Sequence, residues 1–330
     1  MFECAVHSIE VFKAQTLRAF ERFPLDETEH IRGLFWGTVI GSWLLTFVKQ
    51  NGQRNYGIVD RLWPVFPAGL VVQWTYDSWR QTGDILENGQ AMAAVSLVVV
   101  WAIRLCYNAA RRGDYAVGAE DYRWPVVRQN IKQCRFIPRI LQGFVLELFN
   151  AVFIAWFQLS LLYYLAVPVR QLLRAPPGEW SIGTALLALL MAALLVGEAV
   201  ADQQQFNFQQ LKNQKREEEH NGDVAAGFVT TGLWRFSRHP NVFCEQAFWV
   251  TLAVFCRYAM GAEEECCQLF IGSFVLVALM WASVSLTESI SSKKYPLYQA
   301  YQLRTSRLIP CVPLTNAQVV SRAHKHRPRN

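Results

Sequence analysis

Residues 231–245, TGLWRFSRHPNVFCE, place several cations directly ahead of a helix start. Arg235, Arg238 and His239 precede Pro240, which fixes a turn before an apolar run. The first N–H groups and the dipole of a helix attract anions, and side-chain charge adds to that attraction. The pattern therefore predicts a phosphate site, with a basic loop beside a membrane as the alternative. Because the loop is polar, we expect Arg238 and His239 to lie at the surface.

Polar side chains at one-turn spacing complete the predicted site. Asn241 and Glu245 lie one helical turn apart, so both would point toward the same anion. Glu198 and Asp202 are also one turn apart, at the end of an apolar run, and Gln205 continues their face. Carboxylates at that depth are costly unless they are paired or functional. We expect Glu198 and Asp202 to face the interior of a bundle rather than lipid, with a solvated helix end as the alternative.

A third polar cluster lies near the end of the last apolar run. Glu288 leads into Lys293, Lys294, Tyr295 and Tyr298. Lysine and tyrosine side chains together suit an anion. An aromatic belt at a membrane interface gives the same composition, so both interpretations stay open.

The elements that must position these residues are membrane helices. Of the 330 residues, 52% are hydrophobic and only 18% are charged. The apolar residues form blocks long enough to span a bilayer core. The composition predicts an all-α, polytopic membrane helical bundle with about seven transmembrane helices. The predicted spans are 34–49, 64–79, 90–108, 143–166, 181–199, 241–259 and 268–286.

Residues 1–33 are interpreted as an N-terminal amphipathic segment, 34–312 as the membrane domain and 313–330 as a basic tail. Lys and Arg are about three times as numerous in the segments on one side of the predicted spans as on the other, which assigns the richer side to the cytosol or the mitochondrial matrix. This bias explains the net charge of +6 without nucleic acid as a partner.

Several common sites are excluded by spacing. The eight cysteines form no C-x-x-C motif, and no histidine lies at zinc-ligand spacing, so no metal is expected. No G-x-G-x-x-G follows a strand and no P-loop is present. A nucleotide would therefore need a helical site of a different kind.

Short motifs follow one another along the chain, in the order NYxxVDRLW, WxIRL, ExxxDQQxF, GLWRFSRHPN, EQxxW, TESIS and KYPxYxxY. In these motifs the chain resembles the uncharacterised integral-membrane branch of the steroid 5-alpha-reductase superfamily, with its C-terminal steroid-dehydrogenase-like domain. The resemblance covers about residues 50–312 and is strongest over 231–311.

The resemblance implies a seven-helix fold that holds NADPH in a cytosol-facing cavity and reduces a carbon–carbon double bond conjugated to a carbonyl in a lipophilic substrate. It implies a catalytic set of Asp60, Tyr107 and Glu245, in which the first two polarise the substrate carbonyl. The cofactor-binding residues that it implies are Glu198, Asp202, Gln205, Arg235, Arg238, His239, Asn241, Lys293, Tyr295 and Tyr298.

The chemistry is consistent with these residue types. Hydride transfer to a β-carbon needs an acid that stabilises the developing enolate, and a protonated carboxyl beside a tyrosine supplies one. The 2′-phosphate of NADPH suits Arg235, Arg238 and the nearby lysines. One departure from the family is Cys244, which stands where the reductases usually have glycine. We expect it to narrow the cofactor site.

Two other functional classes remain open. A membrane S-adenosylmethionine-dependent methyltransferase has a similar R-x-x-R-H-P segment, but usually a double Glu where this chain has Thr287 and Glu288. A non-catalytic accessory subunit of a larger membrane complex, for example a mitochondrial respiratory complex, is the other class; partner subunits would then order the C-terminal tail. Membrane lipids and a lipophilic small molecule are the other expected partners. The family favours the endoplasmic reticulum membrane, with the mitochondrial inner membrane as the alternative.

Overall fold

A computed structural model of the chain describes residues 27–50, 53–84, 87–214, 222–261 and 267–315. Most of these residues are helical, and the others form turns and loops. Among the described residues the strands are an antiparallel pair of two residues each, β1 (Lys49–Gln50) and β2 (Gln53–Arg54). The predicted all-α fold class is confirmed.

The α-helices are α1 (Glu29–Leu45), α2 (Ile58–Leu62), α3 (Val65–Thr82), α4 (Gly89–Arg112), α5 (Arg123–Gln133), α6 (Gln142–Phe149), α7 (Gln158–Arg174), α8 (Ile182–Gln214), α9 (Gly222–Ala226), α10 (Pro240–Ala259), α11 (Cys267–Lys294) and α12 (Tyr298–Arg304). A π-helical segment, Asn150–Phe157, joins α6 to α7, and 3-10 turns occupy Arg139–Leu141 and Gly232–Arg235.

Local sequence signals set the ends of α4. The Asn88 side chain accepts a hydrogen bond from the backbone N–H of Ala91 at 2.9 Å, which satisfies one of the free donors of the first turn. At the other end Gly113 adopts a φ of 82°, a left-handed conformation that glycine reaches without a steric penalty. Both ends are therefore readable from the sequence.

The chain divides into two compact units. The first comprises Met1–Ala188 with Val250–Leu276, and the second comprises Leu189–Trp249 with Val277–Asn330. Helices α8, α10 and α11 each contribute residues to both units.

In the first unit α3 packs against α4 and α7. Helix α7 is buried on nearly all its faces, whereas α3 and α4 each bury one face. The rings of Trp74 on α3 and Tyr163 on α7 meet edge to face at 5.7 Å between centroids. Leu70, Val98 and Trp101 are fully buried in this core.

In the second unit, aromatic side chains hold the segment after α9 against α12. The Phe228 ring contacts Tyr295, Tyr298 and Tyr301 at centroid distances of 5.9, 5.0 and 5.4 Å. Trp234 joins a separate buried cluster of apolar side chains. These packing contacts fix the position of the segment that joins α9 to α10.

Four helical stretches of the described residues are long and apolar enough to cross a membrane, and they indicate a membrane protein. They are Gly89–Arg112, Arg139–Arg174, Ile182–Gln214 and Gln268–Lys294. The predicted count of about seven is not confirmed. The other three predicted spans correspond to α1, α3 and α10. Helix α1 has 17 residues and rises about 26 Å, short of a bilayer core of about 30 Å. Helix α3 carries Asp77 and Arg80, and α10 carries Glu245 and Arg257.

Two predicted segments fall largely outside the described residues. Of the amphipathic segment 1–33, residues 1–26 are not described, and Glu29 already begins α1. Of the basic tail 313–330, only 313–315 is described, where the Leu314 N–H donates to the Arg304 carbonyl oxygen at 2.9 Å.

We expect Gly272→Ala to destabilise the first unit. A Cβ at Gly272 would lie 2.5 Å from the carbonyl carbon of Tyr164 and 2.6 Å from the N atom of Leu165. Because these are backbone atoms of α7, the two helices must separate, at a cost of about 1–3 kcal/mol. The thermal unfolding temperature in detergent measures the loss.

Gly69→Ala is the matched control, since Gly69 is also helical and a Cβ there meets nothing within 4 Å. Alanine should leave or raise stability at that position. Equal unfolding temperatures for the two variants would contradict the close approach of α11 to α7.

Candidate functional site

Glu288 on α11 is the acceptor around which the cationic loop is arranged. Its carboxylate accepts from Arg238 Nε at 2.6 Å and from Arg238 Nη2 at 3.1 Å. The Nε2 atom of His239 lies 3.2 Å from the same carboxylate. Arg238 and His239 are both only 8% exposed, so the expectation that they lie at the surface is wrong. The buried carboxylate holds both side chains inside the protein, because a charge in that position needs a partner.

The guanidinium of Arg238 is almost fully used by the protein. Besides its two bonds to Glu288, it donates through Nη1 to the carbonyl oxygens of Gln302, at 2.9 Å, and Thr305. These contacts occupy four of its five N–H donors. Glu288 also accepts from the Gln302 side chain at 3.1 Å and lies 3.6 Å from Arg307. The group joins the loop, α11 and the segment around α12 into one network.

Backbone bonds fix the same loop from the other side. Ser237 and Ser306 form a short parallel bridge, and the Arg238 N–H donates to the Ser306 carbonyl oxygen at 2.8 Å. The Cys311 N–H donates to the Phe236 carbonyl oxygen at 2.9 Å. Backbone hydrogen bonds therefore fix the loop before α10, and the position of the loop sets the direction in which α10 begins.

Helix α8 holds the first half of the loop. The indole N–H of Trp234 donates to the Ala201 carbonyl oxygen at 3.2 Å, and the Leu233 N–H donates to the Gln204 side chain at 3.0 Å. Between these two anchors and Arg238 stands Arg235. Arg235 is exposed, and within the described ranges its guanidinium makes no ion pair or hydrogen bond. Of the three basic residues before α10, Arg235 is thus the one that the described part of the chain leaves available to a ligand.

Polar side chains of α8 and α10 meet. Asn241 Nδ2 donates to Asp202 Oδ1 at 3.3 Å. Glu198 and Asp202 are 2% and 7% exposed, so both carboxyls lie inside the protein as expected. Gln205 and Glu245 are half-buried on the same two helices. The structure thus brings α8 and α10 together through polar groups of the predicted cofactor set.

Cys244 points toward α8. A Cβ at Gly197 would lie 3.1 Å from the Cys244 sulfur, so the absence of a side chain at Gly197 makes room for the thiol. The residue that departs from the reductase pattern is accommodated by a glycine on the facing helix. Sequence reasoning missed this pairing, because the two positions are far apart along the chain.

The C-terminal predicted residues divide into an accessible and a buried group. Lys293 is exposed, whereas Tyr298 is buried against Phe228. The Lys212 ammonium donates to the Tyr295 hydroxyl at 3.1 Å. Burial tends to raise the pKa of Tyr295, but its hydrogen bonds with Lys212 and Lys294 outweigh burial and lower it. Tyr295 is therefore an easily polarised phenol beside two cations.

Asp60 and Tyr107 belong to the first unit. The Trp124 indole N–H donates to Asp60 Oδ2 at 3.4 Å, while Arg111 lies over the Tyr107 ring at 5.3 Å. Asp60 and Tyr107 share no hydrogen bond in the described part of the chain. The protein packed around Asp60 limits its hydration and raises the pKa of its carboxyl, against the opposing charge of Arg123, although the residue keeps contact with solvent. Their catalytic roles stay predictions.

Glu288 is the residue of this site whose role sequence reasoning missed. The available signal was a lone carboxylate within the long apolar α11, which requires a buried cationic partner. Metal ligation is a separate matter: among the described residues no three His, Cys, Asp or Glu side chains are grouped to hold a metal ion.

Comparison with known proteins places the chain in a family. Residues 46–305 match the family described as Protein of unknown function (DUF1295), and the chain belongs to this family. It is similar to the uncharacterized protein C594.04c of Schizosaccharomyces pombe, with 30% identity over 310 residues, 88% of this chain and 82% of the yeast protein. No solved structure matches the chain significantly.

We expect Arg238→Ala to lower the free energy of unfolding by about 3–5 kcal/mol, because Glu288 stays buried without its main partner. The double variant Arg238→Ala/Glu288→Ala should lose less than the sum of the two single variants. Thermal or chemical unfolding of the four proteins in one detergent measures this coupling.

Arg235→Ala serves as the control for that cycle, since removal of an exposed cation shifts stability by no more than about 0.5 kcal/mol. Strict additivity of the Arg238 and Glu288 effects would show that the pair is not coupled.

A second cycle tests the seating of Cys244. Gly197→Ala should lower the unfolding temperature because the new methyl meets the sulfur at 3.1 Å. The same change should be harmless in a Cys244→Ala background, where the sulfur is gone. An equal effect of Gly197→Ala in both backgrounds would rule out the contact.

Proposed function

We propose that the chain is a membrane-embedded, NADPH-dependent reductase of a carbon–carbon double bond conjugated to a carbonyl in a sterol-like or polyprenoid lipid. The observation that carries the proposal is an arrangement of polar groups in the second unit. There the α8–α10 pair, joined through Asp202 and Asn241, adjoins a fixed loop that exposes Arg235. The order of motifs shared with the steroid 5-alpha-reductase superfamily supports the same function.

The residues of the second unit fit the polar groups of NADPH. Arg235 is a free cation with the fork geometry that a phosphate monoester prefers. Asn241 and Asp202 provide donors and acceptors of the kind that bind ribose hydroxyls and the carboxamide. When bound, NADPH supplies the hydride. Arg238 and His239 act in this proposal by fixing the loop through Glu288, which presents Arg235 to the cofactor.

The acid of the reaction is assigned to Asp60, with Tyr107 as its companion donor. A protonated carboxyl donates a hydrogen bond to a carbonyl oxygen. That bond strengthens as negative charge develops on the oxygen, which favours the enolate over the ketone. Glu245, on α10, is assigned to the same reaction from the family pattern.

We place the protein in the endoplasmic reticulum membrane, with the mitochondrial inner membrane as the alternative. The basic segments, including the loop before α10, then face the cytosol or the matrix, where NADPH is present.

A non-catalytic accessory subunit is the second candidate, and one observation favours it. Arg238 and His239, which the family pattern assigns to the cofactor, are both engaged by Glu288 inside the protein. The methyltransferase alternative has no comparable support, because the single acid of its expected pair, Glu288, is used in the same network.

The purified protein should bind NADPH more tightly than NADH, and Arg235→Ala should reduce NADPH affinity about tenfold or more while NADH affinity stays unchanged. A charge-assisted contact to the 2′-phosphate is the reason, at about 1.5–3 kcal/mol. Fluorescence titration or calorimetry in detergent measures both affinities.

Arg135→Ala is the control, since Arg135 is also an exposed arginine and lies in the first unit. Equal affinity of the wild type for both nucleotides would remove the 2′-phosphate argument. No binding of either nucleotide would contradict the reductase and favour the accessory subunit.

A further inference from the structure

The first unit contains a cleft of about 530 Å³ that no part of the proposed reaction uses. It is lined by residues from the start of α1 and from the C-terminal ends of α3 and α7. A volume of this size lies in the range of small-molecule sites in proteins. Its lining is rich in arginine, with Arg80, Arg170 and Arg174 all facing it.

A buried ion pair orients the innermost arginine. Arg170 Nη2 lies 2.8 Å from Glu27 Oε2, and the two side chains are 10% and 1% exposed. The Tyr163 hydroxyl donates to the same carboxylate, and the Arg170 guanidinium lies over the Trp74 ring at 5.8 Å. These contacts neutralise Glu27 and hold the guanidinium in a fixed plane. Such preorganisation is typical of a built site rather than of a mobile surface arginine.

The two outer arginines lie at the accessible part of the cleft. Arg80 and Arg174 are exposed, and in the described part of the chain neither makes an ion pair. The other carboxylate of the lining, Asp77, accepts a hydrogen bond from Gln73 Nε2 at 3.0 Å. The lining thus holds three arginines against two carboxylates, with the exposed His30 as a further titratable group. The surplus is positive and lies at the accessible part of the cleft.

We infer that this cleft binds a phosphate monoester group. Such a group carries about −1.5 to −2 charge at neutral pH, and both outer guanidiniums can pair with it in a lining that has a net surplus of one positive charge. Arginine pairs with phosphate through two parallel hydrogen bonds, and two arginines on different helices can bind it from two sides. Ile31, Trp74 and Leu173 add an apolar wall to the same cleft. That wall suits the glycerol and first methylenes of a lipid, while the phosphate chemistry is shared with a soluble phosphate.

The site is independent of the proposed reductase. Its residues lie on α1, α3 and α7 or directly before α1, and none of them belongs to the candidate cofactor or catalytic set. Loss of binding here would therefore leave NADPH binding unchanged, and the two proposals can fail separately.

The test uses delipidated full-length protein in a non-ionic detergent, with binding followed by native mass spectrometry. The probes are phosphatidic acid, phosphatidylcholine with the same acyl chains, and inorganic phosphate as a competitor. We expect phosphatidic acid to bind at least about tenfold more tightly than phosphatidylcholine, and Arg80→Gln/Arg174→Gln to abolish that preference. Competition by inorganic phosphate would show that the phosphate alone suffices; lack of competition would assign the source to the lipid.

Arg135→Gln/Arg139→Gln is the matched control, because both arginines are exposed in the same unit and lie outside the cleft. It should keep the preference. Arg80→Lys/Arg174→Lys keeps both charges but removes the paired guanidinium donors, so it should lose most of the preference for phosphatidic acid. If the glutamine variant does not fold, the lysine variant takes its place in the test. Equal weakening by the control, or no preference in the wild type, would overturn the inference.

Discussion

The ion pair between Glu288 and Arg238 is the interaction on which the second unit depends. A carboxylate inside the apolar α11 is stable only with a cation and hydrogen-bond donors around it. Arg238 meets that requirement and at the same time binds two carbonyl oxygens near α12. One buried charge therefore determines where the loop, the end of α11 and the C-terminal segment lie. The start of α10, and with it Asn241, follows from that position.

Within the short segment before α10, some basic residues fix the loop and another is left exposed to bind a ligand. Arg238 and His239 point inward to Glu288, while Arg235, only one turn earlier, points to solvent. Adjacent cations can have opposite roles because a turn sends successive side chains in different directions. Membership of the family DUF1295, whose function is unknown, does not define the chemistry. In our proposal, Arg235 is the residue of this chain that binds the 2′-phosphate of the cofactor.

Several features of the fold follow directly from the sequence. Apolar blocks of helical length predict the helices, and local residues set the ends of α4, with Asn88 as its N-cap and Gly113 after its last residue. The i and i+4 spacing of Glu198 and Asp202 predicts that both share one face, and both are buried. The count of about seven spans is not confirmed because α1 is shorter than a bilayer core and the polar residues of α3 and α10 lower the mean hydropathy over a spanning length.

What the sequence by itself determined is local: the helical class, the helix ends, and which polar side chains lie together on one helix face. These properties depend on neighbours within about one turn. Only the tertiary structure decided that Glu288 pairs with Arg238, fifty residues away along the chain, and that Gly197 makes room for Cys244. The same holds for the cleft in which Arg80 and Arg174 come together. Pairings of this kind depend on which helices pack against each other, and no spacing within a single helix encodes that choice.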